Sequence, residues 1–216
     1  MLNPQIPLEM FLPPDDEKDI HFIATHDTTG INSGVMFMRV HQWSLKMLIQ
    51  VLTVSLAGNE HELAVSKDQP ALEQVLGMPD FGGKTVFQPR PWFNAFHIDG
   101  KFEGQLGAMF VHFPDITANK WVAMDMYIRN VSQPLNPWEV KVKDTPYEPM
   151  MGDYWGRIKQ ARKLLEEAEE RETNEVQLHE ACEYLRHALD HDTDRVEIMI
   201  DALLSTKLVM KEKQHE

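Results

Sequence analysis

The sequence has a single cysteine, Cys182, in 216 residues. One thiol rules out an intrachain disulfide and any zinc site built from clustered cysteines. Long apolar runs are missing too. The longest candidate, Met47 to Ala57, is broken by Gln50, Thr53 and Ser55, and it falls well short of the roughly 20 residues that span a bilayer. The opening Met1-Leu2-Asn3-Pro4 carries no basic stretch, and Pro4, Pro7, Pro13 and Pro14 forbid a continuous apolar helix, so it does not read as a secretion signal. Positive charge is scarce: 21 Lys and Arg stand against 34 Asp and Glu, for a net charge of −13. Nonspecific binding to nucleic acid or to an anionic membrane is thereby disfavoured. A negatively charged substrate needs a local positive site or a metal ion. No internal repeat or low-complexity block occurs.

What is present is ordinary in bulk. Hydrophobic residues make up 43% and charged residues 25%, as in typical globular domains, and the length is enough for a real core. The segment Asn3 to Pro14 is proline-rich and half apolar, and it predicts an ordered, extended surface strap. Ile20–Ala24 and Gly34–Val40 predict buried strands. Trp43, Met47, Val51 and Val54 recur at helical spacing. Pro70–Leu76 predicts a short helix with Asp68 as its cap. Thr85–Gln88 and Ala108–Phe113 predict two further strands, and Thr117 a cap for a helix reaching about Arg129. Strands alternating with helices argue for an α/β layer in which residues 20–113 supply one mixed sheet.

The composition shifts after Pro134. Pro137, Pro146 and Pro149 mark a connector, and the chain beyond it is charged and helical. Tyr154, Ile158, Ala161, Leu165 and Ala168 share one helical face. Leu178, Cys182, Leu185 and Leu189 repeat that pattern, and Val196, Met199, Ile200 and Leu203 form a third helix.

Four clusters have the chemistry of a site, and each also has a plain structural reading. Asp27-Thr28-Thr29-Gly30-Ile31-Asn32-Ser33-Gly34 offers donors and acceptors for sugar hydroxyls, with glycines that let backbone approach a ligand; the same residues suit a simple turn. Ser66-Lys67-Asp68-Gln69 sets a carboxylate and an amide at a helix start, either to orient a sugar and stabilise an oxocarbenium ion or only as a cap. Val111-His112-Phe113-Pro114-Asp115, followed by Asn119-Lys120, puts an imidazole at a strand end suited to metal ligation, with a lysine able to neutralise a diphosphate; a satisfied structural histidine is the alternative. Gln88-Pro89-Arg90-Pro91-Trp92-Phe93-Asn94 is an aromatic platform for a sugar or a buried Trp under a stiff loop. The run Asp190 to Asp194 opens like a calcium loop, but Arg195 and Asp201 stand where an EF-hand needs Gly and Glu, so it reads as a polar turn.

Taken in order, these clusters resemble one family. Leu2-Asn3-Pro4-Gln5-Ile6-Pro7-Leu8-Glu9-Met10-Phe11-Leu12-Pro13-Pro14, then Gly30-Ile31-Asn32-Ser33-Gly34-Val35-Met36-Phe37, Asp68-Gln69-Pro70-Ala71-Leu72, Arg90-Pro91-Trp92-Phe93-Asn94 and Val111-His112-Phe113 are similar to the fungal galactosyl/mannosyltransferases (glycosyltransferase family 34), related to plant xyloglucan xylosyltransferases. The resemblance runs from about Leu2 to Lys120, with a weaker echo from Trp155 to Leu165. It implies a GT-A-type, Rossmann-like α/β sheet over 1–134, a proline-rich connector over 135–152 and a helical extension over 153–210. It implies retaining transfer of galactose or mannose from a nucleotide sugar to a glycan acceptor, with Mn2+ as cofactor. His112 would be a metal ligand, Asp68 and Gln69 would sit at the reacting sugar, and Asn32, Ser33, Gly34, Asn94 and Lys120 would contact substrate. The family's location is the lumenal side of the Golgi membrane, in places alongside other glycosyltransferase subunits.

Two departures qualify what the resemblance implies. The family's metal-binding Asp-x-Asp precedes the Leu2 motif and is not among these residues, and neither are the base-binding half and the membrane anchor. The expectation is an incomplete chain, inactive alone. Pro114-Asp115 also replaces the small glycine that follows His-Phe in the family. A catalytically inactive partner subunit and, from residues 153–208 alone, a helical interaction module are the competing readings.

Overall fold

The computed structural model describes residues 1–57, 68–114, 119–169, 176–191, 196 and 198–204. Its centre is a three-stranded sheet in the order β2-β1-β3, formed by β1 (Phe22–Asp27), β2 (Gly30–Met38) and β3 (Thr85–Phe87). β1 runs antiparallel to β2 and parallel to β3. Because β1 lies in the middle, its side chains Phe22 to Thr25 are buried on both faces. The two-residue period of a strand then sorts the core. Phe22, Ala24 and Phe87 join Trp43, Met47, Leu72, Val75 and Phe81 on one face, against α1 (Gln42–Ala57) and α2 (Asp68–Leu76). Ile23 and Val86 point the other way.

That second face is covered by α5 (Tyr147–Glu169), α6 (Val176–His191) and the helical residues 196 and 198–204. One hydrophobic cluster joins Ile6, Phe11, Ile23, Val86 and Trp92 to Tyr154, Ile158, Leu165, Cys182, Leu185, Leu189, Val196, Ile200 and Leu203. The C-terminal helices thus share a core with the sheet. Two buried phenols tie α5 down: Tyr154 Oη donates to the Phe87 carbonyl (2.9 Å) and Tyr147 Oη to that of Trp92 (3.0 Å). Helix α5 begins at Tyr147, inside the proline-rich connector, and Pro149 is accommodated in its first turn, where no intrahelical N–H bond is required.

Three expectations need correction. Ala108–Phe113 does not form a strand of the sheet. Its one bridge pairs His112 with Phe96, while the Met109 carbonyl is taken by the Leu2 N–H (2.7 Å); partners change along the segment, so no ladder propagates. Residues 20–113 therefore supply a small mixed sheet plus a hairpin, β4 (His97–Ile98) and β5 (Lys101–Phe102). The N-terminal strap is not superficial either. Leu2, Asn3, Ile6 and Phe11 are buried, and Asn3 Nδ2 donates to the carbonyls of Gly107 and Val140. Helices α3 (Arg90–Phe93) and α4 (Lys120–Val131) complete the order. The cap at Thr117, residues Ser66 and Lys67, Asp115, the side chain of Leu178 and most of the Asp190–Asp194 run lie outside what is described.

Candidate active site

The turn between β1 and β2 builds a site outward from Asp27. Its Oδ1 accepts the backbone N–H (2.7 Å) and hydroxyl (2.6 Å) of Thr29, and its Oδ2 accepts Asn32 Nδ2 (2.8 Å). Burial pulls the Asp27 carboxyl upward, but these bonds and the nearby Arg90 charge outweigh it and hold the pKa below 3.8. Asp27 is an anion that organises the turn.

From there, donors that cannot be reversed orient each amide. The Gly34 N–H donates to Asn32 Oδ1 (2.9 Å), so Asn32 presents its Nδ2 to Asp27. Asn94 Nδ2 donates to the same Asn32 Oδ1 (2.9 Å) and to Thr25 Oγ1 (2.8 Å). Asn94 Oδ1 is left facing His112 Nδ1 at 2.7 Å. An amide oxygen only accepts, so Nδ1 carries the proton, and the neutral ring holds its lone pair on Nε2. Burial first, then Lys120 and Arg90 against the opposing pull of Asp27, push the His112 pKa below 6.5. The ring is neutral at pH 7, and Nε2 is a ready ligand for a metal or a hydrogen-bond donor.

Gly34 explains why the imidazole fits. A Cβ on Gly34 would stand 2.1 Å from His112 Cε1 and 2.6 Å from Nδ1. The ring lies directly on the backbone of β2. Next to it, Ser33 reaches α2: its hydroxyl donates to Asp68 Oδ2 (2.7 Å) and its N–H to Gln69 Oε1 (3.1 Å). Asn32, Ser33, Gly34, Asp68, Gln69, Asn94 and His112 are thus brought together by the first residues of β2. Asn94 is wholly buried and Asn32 is 4% exposed, and both spend their amides inside this network.

Lys120, half-buried at the start of α4, acts on His112 electrostatically. With Asn119, His97, Asp99 and Phe113 it lines a cavity of about 530 Å3 between the hairpin and α4. Trp92 and Phe93 are core residues, not a platform at the surface. Arg90 forms a bidentate pair with Glu103 (3.0 and 2.6 Å) and lies 4.0 Å over the Phe96 ring, while Glu103 also accepts the Phe96 N–H (3.0 Å). This clamp holds the Asn94–Phe96 segment, whose backbone pairs with His112 (2.7 Å from the His112 N–H to the Ala95 carbonyl).

Sequence reading missed the roles of Asp27, Thr25 and Glu103, and it missed the hairpin. The signal for the hairpin was Asp99-Gly100, whose φ values of 50° and 76° suit the two-residue turn that Asp-Gly favours. As for a metal, no group of three or more His, Cys, Asp or Glu able to hold one occurs among the described residues. His112 fits one ligand position, and a hard cation wants several oxygens besides.

Acid should weaken the fold through His21. His21 is buried against His41 and Trp43, and burial, then the charges of His41, Lys84 and Arg39, lower its pKa below 6.5. For a histidine held low in the folded state, the unfolded chain binds more protons, so stability falls as pH drops below 6.5 and levels off under the folded pKa. Urea midpoints should therefore fall between pH 7.5 and 5.5, and His21→Gln should flatten that slope. An unchanged slope in the variant would exclude His21 as its source.

Comparison with known families returned a match to the one described as the galactosyl transferase GMA12/MNN10 family, over residues 11–121. That is just over half of the chain and contains every site residue described above. Comparison with curated proteins and with solved structures gave no match.

Proposed function

This chain belongs to the galactosyl transferase GMA12/MNN10 family, and on that premise we propose that it serves retaining transfer of a hexose, galactose or mannose, from a nucleotide sugar to a glycan acceptor. The α/β sheet is then part of a GT-A-type layer, and the setting is the lumenal side of the Golgi membrane. Among the described residues no helix is long and apolar enough to cross a membrane, so attachment would come from elsewhere. The observation that carries the reading is the buried relay from Gly34 through Asn32 and Asn94, which protonates His112 at Nδ1 and leaves Nε2 as an acceptor.

In this reading each residue has a distinct task. His112 Nε2 would hold Mn2+, which when bound neutralises the leaving diphosphate. Lys120 supplies a positive charge for the same diphosphate, as an acidic chain requires. Asp68 stabilises positive charge developing on the sugar, and Gln69 orients it, both held by Ser33. Asn32 and Asn94 position His112 and do not touch substrate.

Because no group of three or more potential metal ligands occurs among the described residues, we further propose that this polypeptide alone binds nucleotide sugar weakly and turns over undetectably. The test is consumption of UDP- and GDP-hexoses, with and without Mn2+, by the chain alone and by the chain fused to the Asp-x-Asp half of a family member. The fusion should show Mn2+-dependent turnover that His112→Ala and Asp68→Ala each remove. Full activity of the chain alone would overturn the metal placement. A fusion inert with every donor would favour the second reading, an inactive partner subunit of a glycosyltransferase complex.

A further inference from the structure

Helix α1 has two unlike sides. Trp43 and Met47 are buried on the sheet, but Leu45, Leu48, Ile49, Leu52 and Leu56 are exposed by 60%, 41%, 55%, 62% and 85%. Their spacing of three and four residues makes one stripe along a helix of 16 residues. Lys46 is the only charged residue on α1, in a chain of net charge −13. Exposed aliphatic stripes of this extent mark interaction sites.

A groove of about 610 Å3 runs beside the stripe, lined by Ile49, Met78, Pro79 and Phe81 together with Lys46 and Asp80. Among the described residues neither Lys46 nor Asp80 forms an ion pair with another, and both are exposed. A ridge, an adjoining groove and one charge of each sign therefore share a single face.

We propose that this face binds a second copy of the chain, α1 of one copy seated in the groove of the other. A two-fold contact requires a self-complementary patch, and here a ridge meets a groove while Lys46 of each copy meets Asp80 of the other. A specific contact buries about 1,000 Å2 or more in total, so it must take in both the ridge and the groove. The near absence of charge on α1 is what lets two acidic chains approach along it. An anionic bilayer is a poor occupant for a chain of this charge. Self-association through α1 asks nothing of the transfer chemistry.

Sedimentation velocity of the full chain across the micromolar range should show a monomer–dimer equilibrium. Leu52→Glu should weaken it about 30-fold or more, the effect of losing a central anchor, with an unchanged circular dichroism spectrum because Leu52 is exposed. Lys46→Glu and Asp80→Lys should each weaken self-association, and mixing the two variants should restore a dimer, since the mixed pair again matches opposite charges. A wild-type chain that stays monomeric throughout overturns the proposal, whether or not it binds vesicles or another protein. A dimer that survives Leu52→Glu, for example through the exposed Trp121 on α4, overturns it as well.

Discussion

Leu185→Asp is expected to unfold the protein or leave it barely folded, whereas Tyr184→Asp, one position away, should change little. Leu185 is 0% exposed and sits in the cluster that joins α5, α6 and the sheet, while Tyr184 is 64% exposed on the outer side of the same helix. Truncation to Ala already costs about 2–5 kcal/mol at such a site, from lost transfer energy and the cavity left behind. A carboxylate adds the cost of burying a charge with no partner, and a domain's whole margin is only about 5–15 kcal/mol. An exposed substitution on a helix usually stays within about 0.5 kcal/mol. Urea denaturation of Leu185→Ala, Leu185→Asp and Tyr184→Asp measures the three. Equal effects at 184 and 185 would mean that α6 presents a different face to the core.

Gly34→Ala should be the most disruptive small change at the site. The new methyl would lie 2.1 Å from the His112 ring and 2.9 Å from Asn32 Oδ1, far inside contact distance, so the imidazole must leave its seat on β2. Overpacking of this kind costs about 1–3 kcal/mol. It should also break the Nδ1–H bond to Asn94, which nitrogen NMR of His112 reads directly as a change in tautomer and shift. In a fusion competent for transfer, a displacement of about 1 Å is enough to lower turnover about 100-fold. Gly152→Ala is the control: nothing lies within 4 Å of a Cβ there, and the position is helical, so stability should rise by about 0.4–1 kcal/mol. An unperturbed His112 signal in Gly34→Ala would refute the close packing of ring on strand.

Asn94→Ala separates positioning from contact. The change removes the acceptor for His112 Nδ1–H and the donor to Thr25 Oγ1 and Asn32 Oδ1 together. The tautomer preference of His112 should then be lost while the residues lining the cavity between the hairpin and α4 stay in place.

Features that rest on local periodicity are legible in the chain alone. Apolar runs marked β1, β2 and β3, helical spacing marked α1 and the faces of α5 and α6, and Leu165, Leu185 and Leu203 are buried as their spacing required. Such patterns are legible because a residue's face follows from its position within one element. The motifs that carry the family resemblance were legible for a similar reason, since each is contiguous in the chain. The remaining features depend on partners far apart in sequence. Ala108–Phe113 looks like a strand but meets Leu2 on one side and Ala95 on the other, so it never forms a ladder. Asn3 could not be read as buried until Gly107 and Val140 supplied its acceptors. The tautomer of His112 depends on Asn94, 18 residues away, which is oriented by Asn32, 62 residues away. Gly34 reads as a turn residue in the chain, and only the ring of His112 laid against it shows that the missing side chain is what makes the site.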